Sequence, residues 1–249
     1  MDEKVYSSDC LQRLLPNFSF YINKTPQISL ETLNFFKCGL AMSGKMNGRI
    51  VFPIYKQDGK INGFSGRDVM NRESAPKWKH LCNRRFWAYP FFVPDSEGKF
   101  PIDEKIRDSK NIVLVESIGD ALNCYENKIR NIGVTFGLDV SKALLSYLIS
   151  CDLDKITLSM NNDDCPSYSE NHGLIAALKN YLILSQFFSL EKIEIKLPVK
   201  NDFGDMNVQD FNKWKESEPI NQQTIKSMCE DLFNKGKIPK KYKNAICQI

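Results

Sequence analysis

Three short acidic stretches each follow a strand-like run rich in apolar residues, and this is the first sign of chemistry in the chain. Glu116 and Asp120 follow residues 112–115; Asn161, Asn162, Asp163 and Asp164 follow residues 156–160; Asp202 and Asp205 follow residues 193–197. Like charges brought together repel by roughly 3 kcal/mol per pair at ~5 Å and an effective dielectric of about 20. A cluster of them therefore needs a partner, and a divalent cation held by hard oxygen ligands is the usual one. Each stretch alone also reads as a polar loop, and Asp120 alone as a helix N-cap. Three at equivalent points of one repeating pattern favour a site.

The elements that must position these acids follow from the same pattern. Residues 112–115 form an unbroken aliphatic run, which predicts a strand buried on both faces. Ser117 and Gly119 allow a tight turn, and Asp120, Ala121, Leu122 and Tyr125 open a helical period. Strands are then expected at 132–135, 156–160 and 193–197, with helices at 141–150 and 173–187. Strands alternating with helices predict a parallel sheet, and open sheets of this kind carry ligands at the carboxyl ends of their strands. From Asp210 onward the chain reads as polar helix, with apolar spacing at Phe211, Trp214, Ile225, Met228 and Leu232.

Upstream the character differs. Residues 1–44 read as helical, with Leu11, Leu14, Leu15 and Phe18 in helical period and Ser29-x-x-Thr32 opening a second segment. Residues 49–56 and 61–67 read as strands joined by a hairpin turn at 57–60. Residues 94–110 are polar with two prolines and read as a boundary. The expected domains are a basic α+β subdomain at 1–103, an α/β domain at 104–208 and a helical segment at 209–249.

The 249 residues are 42% hydrophobic and 26% charged, ordinary for a globular protein, and the net charge of +4 is unevenly spread. Between Lys45 and Arg85 there are ten Lys/Arg against three Asp/Glu. The same stretch carries Trp78 and His80, with Phe86, Trp87 and Tyr89 just beyond. Cations interleaved with aromatics suit single-stranded nucleic acid, whose phosphates and unstacked bases both need partners. A merely solvated basic surface is the plainer alternative. The eight cysteines form no CxxC or CxxH pair, so no zinc site is expected and the thiols read as reduced. Neither a signal pattern nor a membrane-spanning run is evident, which predicts a cytoplasmic protein without a membrane partner.

The acidic constellation resembles the Toprim domain, and the wider chain, over residues 10–208, resembles the catalytic core of bacterial- and phage-type DNA primases. That family's first motif is a strand followed by E-G-x-x-D, matched by Glu116 and Asp120. Its second is a strand followed by D-x-D and a glycine opening a helix, matched by Asp163, Gly173 and Ala176. Its third acidic stretch is matched by Asp202 and Asp205, and Gly133-Val-Thr135-Phe-Gly137 is similar to its glycine-bearing loop. Upstream, residues 49–54 and 63–67 are similar to the core's paired strands, Pro76-Lys77-Trp78 to its Pro-Lys-Tyr segment, and residues 30–40 to its opening helix. The sequence departs from the family in Ser117 for the motif glycine, Asn161 for the first Asp of D-x-D, and an insertion at about residues 165–171. The family's zinc-binding module and a Walker A loop are not found in this sequence.

The resemblance implies a Toprim-type parallel sheet flanked by helices, preceded by the basic subdomain and followed by a short helical tail. It implies a DNA-directed RNA polymerase that makes short RNA primers from ribonucleoside triphosphates on a single-stranded DNA template. Catalysis would fall to Glu116, Asp120 and Asp163, with Mg²⁺ or Mn²⁺ held by Glu116, Asp163, Asp202, Asp205 and the amide of Asn161. Arg49, Arg67, Lys77, Lys79, Arg84 and Arg85 would contact nucleotide or DNA phosphates. A separate replicative helicase is an implied partner, and the replication fork, including that of a virus-infected host, the implied location. Two alternatives use the same residues: a Toprim nuclease, and a non-catalytic single-stranded nucleic-acid-binding protein.

Overall fold

A computed structural model of the chain describes residues 5–137 and 139–249. Two compact units are present: one holds the chain up to Lys105 together with Ser141–Leu144, the other Ile106–Val140 and Leu145–Ile249.

The first unit is built on five antiparallel strands paired in chain order: β1 (Leu14–Leu15), β2 (Gly39–Ala41), β3 (Arg49–Tyr55), β4 (Ile61–Asp68) and β5 (Trp78–Leu81). The expected hairpin joins β3 to β4. Strand β3 is buried at all seven positions, which makes it the centre of this unit's core. Gly63 on β4 lies so close to the Trp87 ring that a Cβ there would come within 2.4 Å of it.

The helix expected from Leu11 to Phe18 is replaced by a 3-10 turn at Ser8–Arg13 and by β1, which pairs with β2. Pro16 is the reason: it disfavours helix at the residue before it and removes a backbone donor. The short helices α1 (Ser19–Ile22) and α2 (Leu30–Phe35) follow. The Ser29 hydroxyl caps α2 by accepting from the Thr32 N–H at 3.2 Å.

Helix α3 (Pro101–Ser109) occupies the polar stretch before the aliphatic strand at residues 111–115 and begins on a proline, whose missing N–H is harmless at that position. The alternation beyond it is the expected one: β6 (Asn111–Val115), α4 (Ile118–Glu126), β7 (Ile132–Val134), α5 (Lys142–Ser150), β8 (Lys155–Leu158), α6 (His172–Leu184) and β9 (Ile193–Ile195). The sheet order is β7-β6-β8-β9 and every neighbouring pair is parallel. Ile112, Leu114, Ile156, Leu158 and Ile195 are fully buried within it. Helix α6, which carries much of the most apolar run in the sequence, is buried along most of its length. Among the described residues no helix is long and apolar enough to cross a membrane. Helices α7 (Val208–Glu216), α8 (Gln222–Asn234) and α9 (Lys243–Gln248) complete the second unit.

Candidate active site

Because β6, β8 and β9 are consecutive and parallel, the segments after them emerge on one edge of the sheet. Glu116 leaves β6 half-buried. Its carboxyl is held above the usual range, first by burial and then by the nearby charges of Asp163 and Asp202. One residue from each of three strand ends therefore shares a common field.

Asp120 has a different place. Ser117 and Asp120 form a reciprocal capping box at the start of α4, with the Ser117 N–H donating to Asp120 Oδ2 at 2.9 Å. The Gly204 N–H donates to the other oxygen, Oδ1, at 3.3 Å. Asp120 is 2% exposed, and burial, with Asp202 adding to it, pushes its carboxyl up to about 7 against those hydrogen bonds. It lies inside the cap of α4 and under the third acidic loop, not on the open face of the site. Ser117 in place of the motif glycine thus supplies a cap that glycine could not.

After β8, the four polar residues divide their roles. Asn162 is spent on structure: its amide donates to the Pro198 carbonyl at 3.0 Å, its oxygen accepts from Asn171 at 3.0 Å, and its backbone N–H donates to the Asn201 carbonyl at 2.7 Å. Asp163 Oδ2 accepts from the Gly173 N–H at 3.2 Å, so the carboxylate sits at the N-terminus of α6, where the helix dipole favours negative charge. Asn171 is the N-cap proper, accepting from the Leu174 N–H at 2.8 Å. Asn161 is half-buried, and its carbonyl lies where a Gly173 Cβ would come within 1.9 Å. Asp164 is exposed.

The third loop is a 3-10 turn, Phe203–Asp205, capped by Asp202, whose Oδ1 accepts from the Asp205 N–H at 2.9 Å. Asp205 is exposed and, with Asp163, Asp164, Tyr168, Lys200 and Asn201, lines a cavity of about 500 Å³. The insertion at 165–171 forms one wall of it. Tyr168 hydrogen-bonds Asp231 of α8, which also pairs with Lys235 at 2.8 Å.

Among the described residues no group of three His, Cys, Asp or Glu side chains could by itself hold a metal ion. The donors gathered at this edge are carboxylate and amide oxygens, the hard ligands that Mg²⁺ and Mn²⁺ take. Mg²⁺ is commonly bound by one or two carboxylates plus water and substrate phosphates, not by an all-protein cage. Separate acids in a shared field fit that mode.

The basic half holds two corrections. Arg49, expected at phosphates, is 2% exposed, and its guanidinium donates to the carbonyls of Gly66 at 3.0 Å, Pro76 at 2.9 Å and Lys77 at 3.4 Å. It holds the Pro76–Lys77 backbone against β4 instead of facing solvent. Trp87 and Tyr89, expected as stacking surfaces, are each 1% exposed and belong to the core. Arg67 is half-buried with its guanidinium 5.6 Å from the centre of the Trp78 ring. Lys79 is half-buried on edge strand β5, while Lys77, Arg84, Arg85 and Phe86 are exposed. The half-buried His80 is pushed down to about 4, first by burial and then by the nearby charge of Arg84, and is neutral at pH 7.

Sequence reasoning passed over Asn123 and Asn171. Asn171 was detectable as a capping residue just before an apolar helix. The role of Asn123 lies in bonds to Phe203 and Met206, some eighty residues away, and leaves no local signal.

The two sheets and the acidic strand ends define a class: this is the fold of the primase catalytic core. The DnaG primase catalytic domain bound to single-stranded DNA matches with a TM-score of 0.65 over 91% of this chain and 81% of that one, at 13% identity. A DNA primase domain from Pseudomonas aeruginosa matches with a TM-score of 0.66 over 85% of this chain and 77% of that one, at 15% identity. In sequence, the chain is 32% identical over 161 residues to the DNA primase of Borreliella burgdorferi, covering 63% of this chain and 26% of that protein. The chain is thus similar in sequence to part of the bacterial DNA primases and carries the fold of their catalytic core. It spans about a quarter of the length of the curated relatives it matches. No family model matches the chain.

Proposed function

We propose that this chain is the catalytic core of a DNA primase, a DNA-directed RNA polymerase that makes short RNA primers from ribonucleoside triphosphates on single-stranded DNA. The observation that carries the reading is the raised carboxyl of Glu116, which feels both Asp163 and Asp202 from neighbouring strand ends. A carboxyl raised toward neutrality is suited to proton transfer. Glu116 accepts the proton lost by the attacking 3′-hydroxyl as that oxygen bonds the α-phosphorus and pyrophosphate leaves. Asp163, Asp202 and Asp205, with the Asn161 amide oxygen as a neutral ligand, would hold Mg²⁺ or Mn²⁺ together with substrate phosphates and water, not as a closed protein cage. When bound, such an ion would supply the positive charge that offsets the negative charge developing on the phosphates. Asp120 keeps the third loop in position, and the α6 N-terminus steadies the Asp163 carboxylate.

Lys77, Lys79, Arg84 and Arg85 contact template phosphates, with Arg67 and Trp78 as a stacking pair and Arg49 supporting the Lys77 segment. Strand separation falls to a helicase on another chain, and the setting is cytoplasmic, at the replication fork.

One assay separates this reading from its competitors. The purified protein is incubated with single-stranded DNA, labelled ribonucleotides and Mg²⁺ or Mn²⁺. New oligoribonucleotides are expected. Cleaved template without synthesis would make it a nuclease, and binding alone a non-catalytic nucleic-acid-binding protein.

A further inference from the structure

Asn123 lies three residues beyond Asp120 on the same face of α4 and is 1% exposed. Its side-chain amide donates to two carbonyls of the third acidic loop, Phe203 at 2.6 Å and Met206 at 2.9 Å. Its own oxygen accepts from Asn127 Nδ2 at 3.1 Å. The buried amide is therefore fully used, and two bonds reach a segment some eighty residues away. The carbonyls it holds are those of the first residue of the Phe203–Asp205 turn and of the residue just after it.

The same loop has an apolar anchor. The Phe203 ring stacks on Phe211 with centroids 5.6 Å apart and meets Trp214 edge-on at 5.2 Å. A ring in an apolar pocket fixes where residue 203 sits but not the rotation of the peptides beside it. Those rotations set the directions of the Asp202 and Asp205 side chains. Asn123 fixes them by holding a carbonyl on either side of Gly204 and Asp205.

We infer that Asn123 is a positioning residue for the metal-holding acids Asp202 and Asp205, acting through the loop backbone without touching ion or substrate. The inference rests on the proposed role of those two acids. Its basis is that the hydrogen bonds are buried, complete and directed at the loop's turn.

The test titrates the full chain with Mn²⁺ at 25 °C, reading free Mn²⁺ by electron paramagnetic resonance, and measures primer synthesis across Mn²⁺ concentrations. Asn123→Leu keeps the volume and removes both donors. It is expected to raise the Mn²⁺ midpoint at least tenfold, with synthesis at saturating Mn²⁺ within a fewfold of wild type. Asn127→Ala, which loses a contact to Asn123 but none to the loop, should leave the midpoint within twofold. Asn123→Ser retains one donor and should move the midpoint in the same direction by a smaller factor; it carries the test alone if the leucine variant does not fold. A purely structural role would lower the melting temperature in chelator and leave the midpoint unmoved, which would overturn the inference. Wild-type protein that binds no Mn²⁺ would overturn the reading of Asp202 and Asp205 themselves, and this inference with it.

Discussion

The Gly173 N–H donates to Asp163 Oδ2 at 3.2 Å, so helix α6 begins against the carboxylate that precedes it by ten residues. The close approach of Gly173 to the Asn161 backbone makes this contact possible, since a Cβ would sit 1.9 Å from the Asn161 carbonyl oxygen. Gly173→Ala must therefore displace either α6 or the segment after β8. The expected result is a loss of about 1–3 kcal/mol, the range for overpacking, together with loss of synthesis. Urea denaturation and the priming assay check both.

Glu116→Gln and Asp163→Asn are each expected to abolish primer synthesis and leave the fold intact. Burial and the charges of Asp163 and Asp202 disfavour an ionised Glu116, so either change removes repulsion. Melting temperatures of both variants in chelator should equal or exceed that of wild type. Wild-type turnover by either variant would remove that residue from the mechanism.

The pH dependence of stability should carry the signature of Asp120. Its carboxyl titrates near 7 in the folded chain and near 3.8 when unfolded. Between those values the folded state binds the extra proton, so stability falls as pH rises, by up to about 1.4 kcal/mol per pH unit from this group. The cost is complete above pH 7 and absent below about 4, and Glu116 adds in the same direction. Metal-free wild-type protein should thus gain stability from pH 8 to pH 5, and Asp120→Asn should flatten that gain. Denaturation midpoints across this range provide the measurement.

Two arginine changes in the basic unit should behave oppositely. Replacing Arg84 and Arg85 together with Ala is expected to flatten the dependence of log affinity for single-stranded DNA on log salt by about 1.4, at roughly 0.7 per phosphate contact. Stability should barely change. Arg49→Ala should instead destabilise, because the buried Gly66 carbonyl loses its donor, at about 1–3 kcal/mol, and the Pro76–Lys77 segment loses its tie to β4. An unchanged salt slope for the double variant would mark Arg84 and Arg85 as solvated surface.

Asn161 offers a neutral oxygen where a carboxylate would add repulsion. Metal-free Asn161→Asp is expected to be less stable than wild type by roughly 1–3 kcal/mol. Excess Mg²⁺ should narrow or reverse the order, since an ion stabilises the better ligand set. Thermal melts with and without Mg²⁺ test this; no metal-dependent gain would mean that residue 161 does not face the ion.

The order of strands and helices from Asn111 onward was legible in the sequence, because a strand buried on both faces must be aliphatic and its polar end abrupt. That Glu116, Asp163 and Asp202 would emerge on one edge followed from parallel pairing alone. The first helix was misread because Leu11, Leu14, Leu15 and Phe18 share a period that Pro16 interrupts and that pairing with β2 overrides. The direction of individual side chains, by contrast, depends on partners that come together only in the folded chain. Asp120 turns inward because Gly204, distant in sequence, supplies a donor to its second oxygen. Arg49 turns inward because Gly66, Pro76 and Lys77 present three carbonyls to it. A buried polar group must find its partners wherever the fold brings them, and residue type and spacing do not encode partners so far along the chain.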